Sequence, residues 1–189
     1  EQELLREYKR LFTKPPEWAY PFAPPIPFVG ADYGEGRSNV LIYASAENLT
    51  YTRKQSAASP WLSSEHLMLR SRCVHACNKG TCVHIQPIDN GSLLKAARHS
   101  LEQVKYQGAF DAASPEVFLE QVAVANPGKF SVDAKNNKDY AGDGTPWSAS
   151  MPYIGIELEV LDPDIIIIPR TIRDTLKKPP VNLDLTRKG

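Results

Sequence analysis

The amino-acid sequence predicts an α/β fold, a three-layer α/β/α sandwich with a central, mainly parallel sheet. Three observations predict it. The runs "NVLIYAS", "VAVAN" and "DPDIIIIP" are short and apolar through their centres, the pattern of parallel strands buried on both faces. Stretches with apolar residues at helical spacing alternate with these runs. The chain has 189 residues, 42% of them hydrophobic, which suits one domain with a full core. We therefore expect a single domain over 1–189, with residues 1–37 forming an N-terminal helix and a proline-rich strap.

The elements follow in order. Leu4, Leu5, Tyr8, Leu11 and Phe12 recur at intervals that predict an amphipathic helix over 1–13. "KPPEWAYPFAPPIPF" holds six prolines in fifteen residues, which exclude a helix and a central strand. It predicts a strap over the surface, with Trp18, Tyr20 and Phe22 against the body. "VGADYGEGRS" reads as a Gly-rich turn. It precedes a strand, whereas a phosphate loop follows one. "NVLIYAS" is the first strand the sequence predicts. "SSEHLMLRS" has helical character, and "VHIQPIDNG" reads as extended up to its Asn-Gly turn. "SLLKAARHSLEQVKYQG" predicts a helix capped by Ser92, with Leu93, Leu94, Ala97, Leu101 and Val104 on its stripe and Gly108 at its end. "SPEVFLEQ" begins a short helix with Pro115 in its first turn. "VAVAN" is a second strand, "MPYIGIELEVL" a helix, "DPDIIIIP" a third strand and "RTIRDTL" a last helix.

Totals exclude several classes. Twenty-two basic and twenty-two acidic side chains cancel, so no global field pulls the chain toward nucleic acid or membrane, although a local patch can still steer a ligand. No run of about eighteen apolar residues is present, so no membrane span is expected. "EQELLREYKRLF" lacks the basic-then-apolar layout of a leader, and a cytoplasmic location is expected. Cys73, Cys77 and Cys82 are an odd number, against a closed disulfide framework. With His75 and His84 they offer donors for zinc or an iron–sulfur cluster. Their C-x3-C-x4-C spacing is not the C-x2-C knuckle, so the expectation is no bound metal and no cofactor.

Ligands on parallel sheets bind beyond the carboxyl ends of the strands. Three loops converge there: "ASAENL" after the first strand, "NPGK" after the second and "PRT" after the third. In that layout the chain resembles the uracil-DNA glycosylase superfamily. Ala44-Ser45-Ala46-Glu47-Asn48 stands where that family has its water-activating turn, and "VAVANPGKFS" resembles its base-reading Asn-x-x-Lys run, with Asn126 and Lys129 at the matching places. "EVLDPDIIIIP" is similar to the phrase before its third strand. The order of elements agrees over roughly residues 38–178. The turn lacks the family's Gly and Pro, and no His-Pro-Ser-like loop follows "DPDIIIIP".

The resemblance implies N-glycosidic bond hydrolysis on a flipped uracil or modified base, with DNA or nucleotide as partner. Excision needs groups that read the base edge and groups that offset charge as the bond breaks. Asn126 offers a donor and an acceptor to a pyrimidine edge; the plain alternative is an Asn capping the turn before Pro127. Glu47 suits water positioning, or is a helix-start carboxylate. Ser45 and Asn48 share that turn. Tyr43 and Phe130 suit base stacking, or core. His84 suits base contact or ligation, or a structural hydrogen bond. Lys129, with Arg53, Lys54, Lys135 and Lys138, suits a phosphate-facing rim, or is part of a scattered solvated surface. The alternative function is a non-catalytic module of the same fold that binds nucleotide or nucleic acid. A hydrolase using Ser45 as nucleophile ranks last, because "YASAE" lacks the two glycines of a nucleophile elbow and no histidine follows His99.

Overall fold

The computed structural model describes residues 2–19, 23–35, 38–44, 96–101, 115–130, 132, 140, 144–179, 181–183 and 185. In chain order these form α1 (Gln2–Leu11), β1 (Phe28–Val29), β2 (Val40–Tyr43), α2 (96–101), α3 (Pro115–Glu120), β3 (Val122–Ala125), α4 (Gly144–Leu161), β4 (Ile165–Ile167) and α5 (Arg170–Leu176). The protein is an α/β chain with one four-stranded sheet in the order β1-β3-β2-β4. β2 is parallel to both β3 and β4, as the three apolar runs predict. β1 pairs antiparallel with β3, so the sheet is mixed but mostly parallel.

Side chains alternate across the strands, and two apolar clusters result. Val40, Ile42, Val122 and Val124 cluster with Ala97, Leu101, Phe118 and Leu119. Leu41, Tyr43, Ala123 and Ala125 cluster with Leu4, Trp147, Ile154, Ile172 and Leu176. Every residue of β2 and β3 is buried. β4 differs from the expectation of a fully buried strand. It lies at an edge of the described sheet, and its three isoleucines are half-buried.

Other elements also depart from the sequence reading. The expected Gly-rich turn opens as a strand, because Phe28 and Val29 find β3 as a partner. Gly30 then runs so close to α3 that a Cβ there would lie 2.3 Å from the carbonyl oxygens of Leu119 and Glu120. Its amide donates to Val122 O at 3.0 Å. The strap is not a surface feature throughout, since Ala23, Pro24, Pro25 and Pro27 are buried. Leu11, placed on the α1 stripe, is 37% exposed, while Leu4 and Tyr8 carry the burial.

α4 begins at Gly144, seven residues before the expected start at Met151. Pro146 falls in its first turn, where a missing N–H costs nothing. Pro152 lies inside the helix on its exposed side, where water satisfies the carbonyl it leaves behind. Asp162 ends the helix at φ 40°, followed by Pro163, a left-handed stop of the usual kind. Residues 181–183 and 185 form no strand. They pack back on the core through Val181, Leu183 and Leu185. The elements read into 50–95 and the rest of the 92–108 helix lie outside the described residues.

Candidate functional site at the carboxyl ends of the strands

The parallel register of β2 and β3 sets Tyr43 opposite Ala125. One residue further, Ala44 N donates to Ala125 O at 2.8 Å. The two segments therefore leave the sheet side by side, one at Ala44 and the other into Asn126-Pro127-Gly128-Lys129. Asn126 is 2% exposed, and everything from Val122 to Phe130 is buried. The second lip of the mouth is thus an interior segment.

Beneath this mouth lies a polar network that links four parts of the chain. Glu157, on the buried stripe of α4, is fully enclosed. Its Oε1 accepts from Tyr8 OH of α1 at 2.6 Å and from Lys129 Nζ. Its Oε2 accepts from Tyr43 OH, at the end of β2, at 2.8 Å. The Lys129–Glu157 ion pair has no solvent exposure on either side chain. The Lys129 ammonium also sits 5.9 Å from the Tyr43 ring centroid, within cation–π range. Lys129 N donates to Ser150 Oγ at 3.0 Å, and Ser150 Oγ donates to Pro146 O at 2.8 Å. Phe130 N donates to Tyr140 OH at 2.9 Å, and the same hydroxyl donates to Phe130 O.

Burial, and then the Glu157 carboxylate, push the phenols of Tyr8 and Tyr43 well above their ordinary value. Burial pushes Tyr153 up to about 12. The two phenols on Glu157 therefore stay protonated donors at neutral pH. With an ammonium and two phenols donating to it, the carboxylate is satisfied, as a buried charge must be. The network ties α1, the end of β2, the segment after β3 and α4 together, and its charged groups are fully enclosed.

These positions correct one expectation and refine two more. Lys129 is not on a phosphate-facing rim; its ammonium is turned inward and held by Glu157. Tyr43 is a fully buried strand residue whose hydroxyl is engaged. Phe130 is 4% exposed and meets Trp18 and Tyr153 edge-on, with centroids 5.8 Å apart in each case. Both rings belong to the packing under the site. Ser45, Glu47, Asn48 and His84 lie outside the described residues, as do Cys73, Cys77, Cys82, Arg53, Lys54, Lys135 and Lys138. Among the described residues no group of three or more His, Cys, Asp or Glu side chains is placed to hold a metal. No described helix is long and apolar enough to cross a membrane.

Sequence reasoning missed Glu157, Tyr8 and Ser150. The signal was present, because Glu157 and Ser150 interrupt the apolar stripe Trp147, Tyr153, Ile154, Leu161 at helical spacing. A carboxylate on the buried face of a helix requires a buried partner. No family model, no curated protein and no solved structure matches the chain.

Proposed function

We propose that this chain is a base-recognising protein of the uracil-DNA glycosylase type, which hydrolyses the N-glycosidic bond of a flipped uracil or modified base. The reading includes a three-layer α/β/α sandwich, supported by the two apolar clusters that alternate residues of β2 and β3 feed. It also includes a cytoplasmic setting, where Cys73, Cys77 and Cys82 stay reduced. One observation carries it: the parallel register that releases Ala44 and Asn126 from adjacent positions. A base reader and a water-activating turn must serve one ring, and neighbouring parallel strands deliver their loops to one place. Asn126 is the edge-reading amide, and Glu47, with Ser45 and Asn48, the group that handles water and developing charge. The base reaches Asn126 only after extrusion from its stack.

The test uses a single-stranded oligonucleotide carrying one uracil and its thymine counterpart, at low salt, where phosphate contacts are strongest. Binding is read by fluorescence anisotropy and base release by alkaline strand cleavage. Asn126→Ala weakens uracil-strand binding by about 1–3 kcal/mol, the usual result of removing the partner of a buried polar group. Glu47→Gln abolishes release and spares binding. Binding without release by the wild-type protein assigns the chain to the non-catalytic module. No binding at low salt refutes the nucleic-acid reading.

A further inference from the structure

The formal charge of the chain is zero, but the described charges are not evenly spread along the strand direction. The loops before β2 and β4 carry Asp32, Glu35, Asp162 and Asp164, and Glu120 ends α3 just before β3. In sequence these segments carry one basic residue, Arg37, against the five acids. Asp32 belongs to this end because β1 runs antiparallel, and its amide donates to Glu120 O at 2.8 Å. At the carboxyl end, the chain leaving β4 enters α5 through Arg170 and Arg173. β4 is the parallel neighbour of β2, with Ile167 opposite Ile42. Arg170 therefore starts beside the mouth.

α5 buries Ile172 and Leu176. Arg170, Arg173 and Lys177 fall at i, i+3 and i+7, on the side turned from that core. Lys178 follows, and like Lys177 it is exposed. One anion, Asp174, lies among them. It pairs with Arg173 at 2.9 Å and more loosely with Arg170 at 3.5 Å. The Arg170 side chain is 86% exposed. The helix is a fixed platform, because Leu183 N donates to Leu176 O at 2.8 Å and ties the following segment back onto it.

We infer that the outer face of α5 is the phosphate grip of the site, engaging the backbone of the strand whose base enters the mouth. The inference rests on the nucleic-acid reading above and names the contact that Lys129, turned inward, does not make. The seven steps from Arg170 to the C-cap residue Lys177 rise about 10 Å. In duplex geometry a strand advances about 3.4 Å per nucleotide, so the face spans about three nucleotides stacked at that spacing.

The experiment measures the salt dependence of binding to the uracil and thymine oligonucleotides by the full chain. Arg170→Gln/Lys177→Gln is compared with Lys9→Gln/Arg10→Gln on exposed positions of α1, with thermal unfolding of each as a folding check. Loss of two phosphate contacts flattens the slope of log K against log salt by about 1.4. Affinity should fall equally for both oligonucleotides, and the α1 variant should keep the wild-type slope. An unchanged slope in the α5 variant, with wild-type binding intact, overturns this inference alone. Absence of wild-type binding overturns both readings. Poly-glutamate competing as well as the oligonucleotide, charge for charge, assigns the face to an acidic polypeptide and overturns it as well.

Discussion

Replacing Lys129 with Met keeps most of the side-chain length and removes the charge. Glu157 would then be a carboxylate with no exposure and two phenol donors, Tyr8 at 2.6 Å and Tyr43 at 2.8 Å. Breaking a buried pair from one side costs about 3–5 kcal/mol, because the remaining charge stays desolvated. The two phenols place the expected loss toward the lower end, near 3 kcal/mol by that scale. A domain has only about 5–15 kcal/mol in total. With a urea slope of about 2 kcal/mol per molar, the unfolding midpoint falls by roughly 1.5 M. Urea titration followed by circular dichroism measures this. Lys129→Met/Glu157→Gln should lose less than the two single losses summed, because the neutral amide needs no counter-charge. A single-variant loss below about 1 kcal/mol is what a solvent-exposed pair gives. That result, or strict additivity in the cycle, would refute the buried network as the clamp under the mouth.

Further outcomes follow from other residues. Gly30→Ala places a Cβ against two carbonyl oxygens at 2.3 Å; overpacking of about 1–3 kcal/mol lowers Tm by roughly 2–12 °C in a calorimetric scan. In an alkaline titration followed by phenolate absorbance, Tyr8, Tyr43 and Tyr153 stay un-ionised beyond pH 10 in the native protein, with Tyr153 titrating at about 12. Unfolded phenols ionise at about 10. Their contribution is therefore complete below that pH and is lost as pH rises through the native values; native phenols that all titrate near 10 would contradict this. Metal analysis of protein purified without chelator should find neither zinc nor iron in stoichiometric amount. One equivalent of zinc would make the Cys73–Cys82 tract a structural staple.

The parallel strands were legible because an apolar run of four to six residues has few other uses. β1 was not legible. Two residues carry no periodicity, and Phe28-Val29 becomes a strand only because β3 presents an edge to it. The start of α4 was missed because "GTPWSAS" combines a Gly, a Pro and two serines that suggest a loop. Trp147 and Ser150 nevertheless continue the buried stripe, so packing overrides propensity. Asn126 was legible as the residue that ends a buried strand. The inward turn of Lys129 was not, because local sequence cannot show that a lysine will meet a carboxylate twenty-eight residues away.

The prolines near the two ends of the sheet order have a consequence for association. β1 follows Pro24, Pro25 and Pro27, while β4 lies between Pro163 and Pro169. A proline lacks the N–H that an incoming strand would need. Among the described residues the outer strands are two and three residues long, and short edges limit stacking by another chain. "IIII" is the kind of segment that zips into cross-β fibres when it is long, flat and open. Among the described residues the edge strand presents about 10 Å of it, so while that strand stays in register the self-adhesive stretch is held in a short ladder, and it becomes a hazard when the fold is lost.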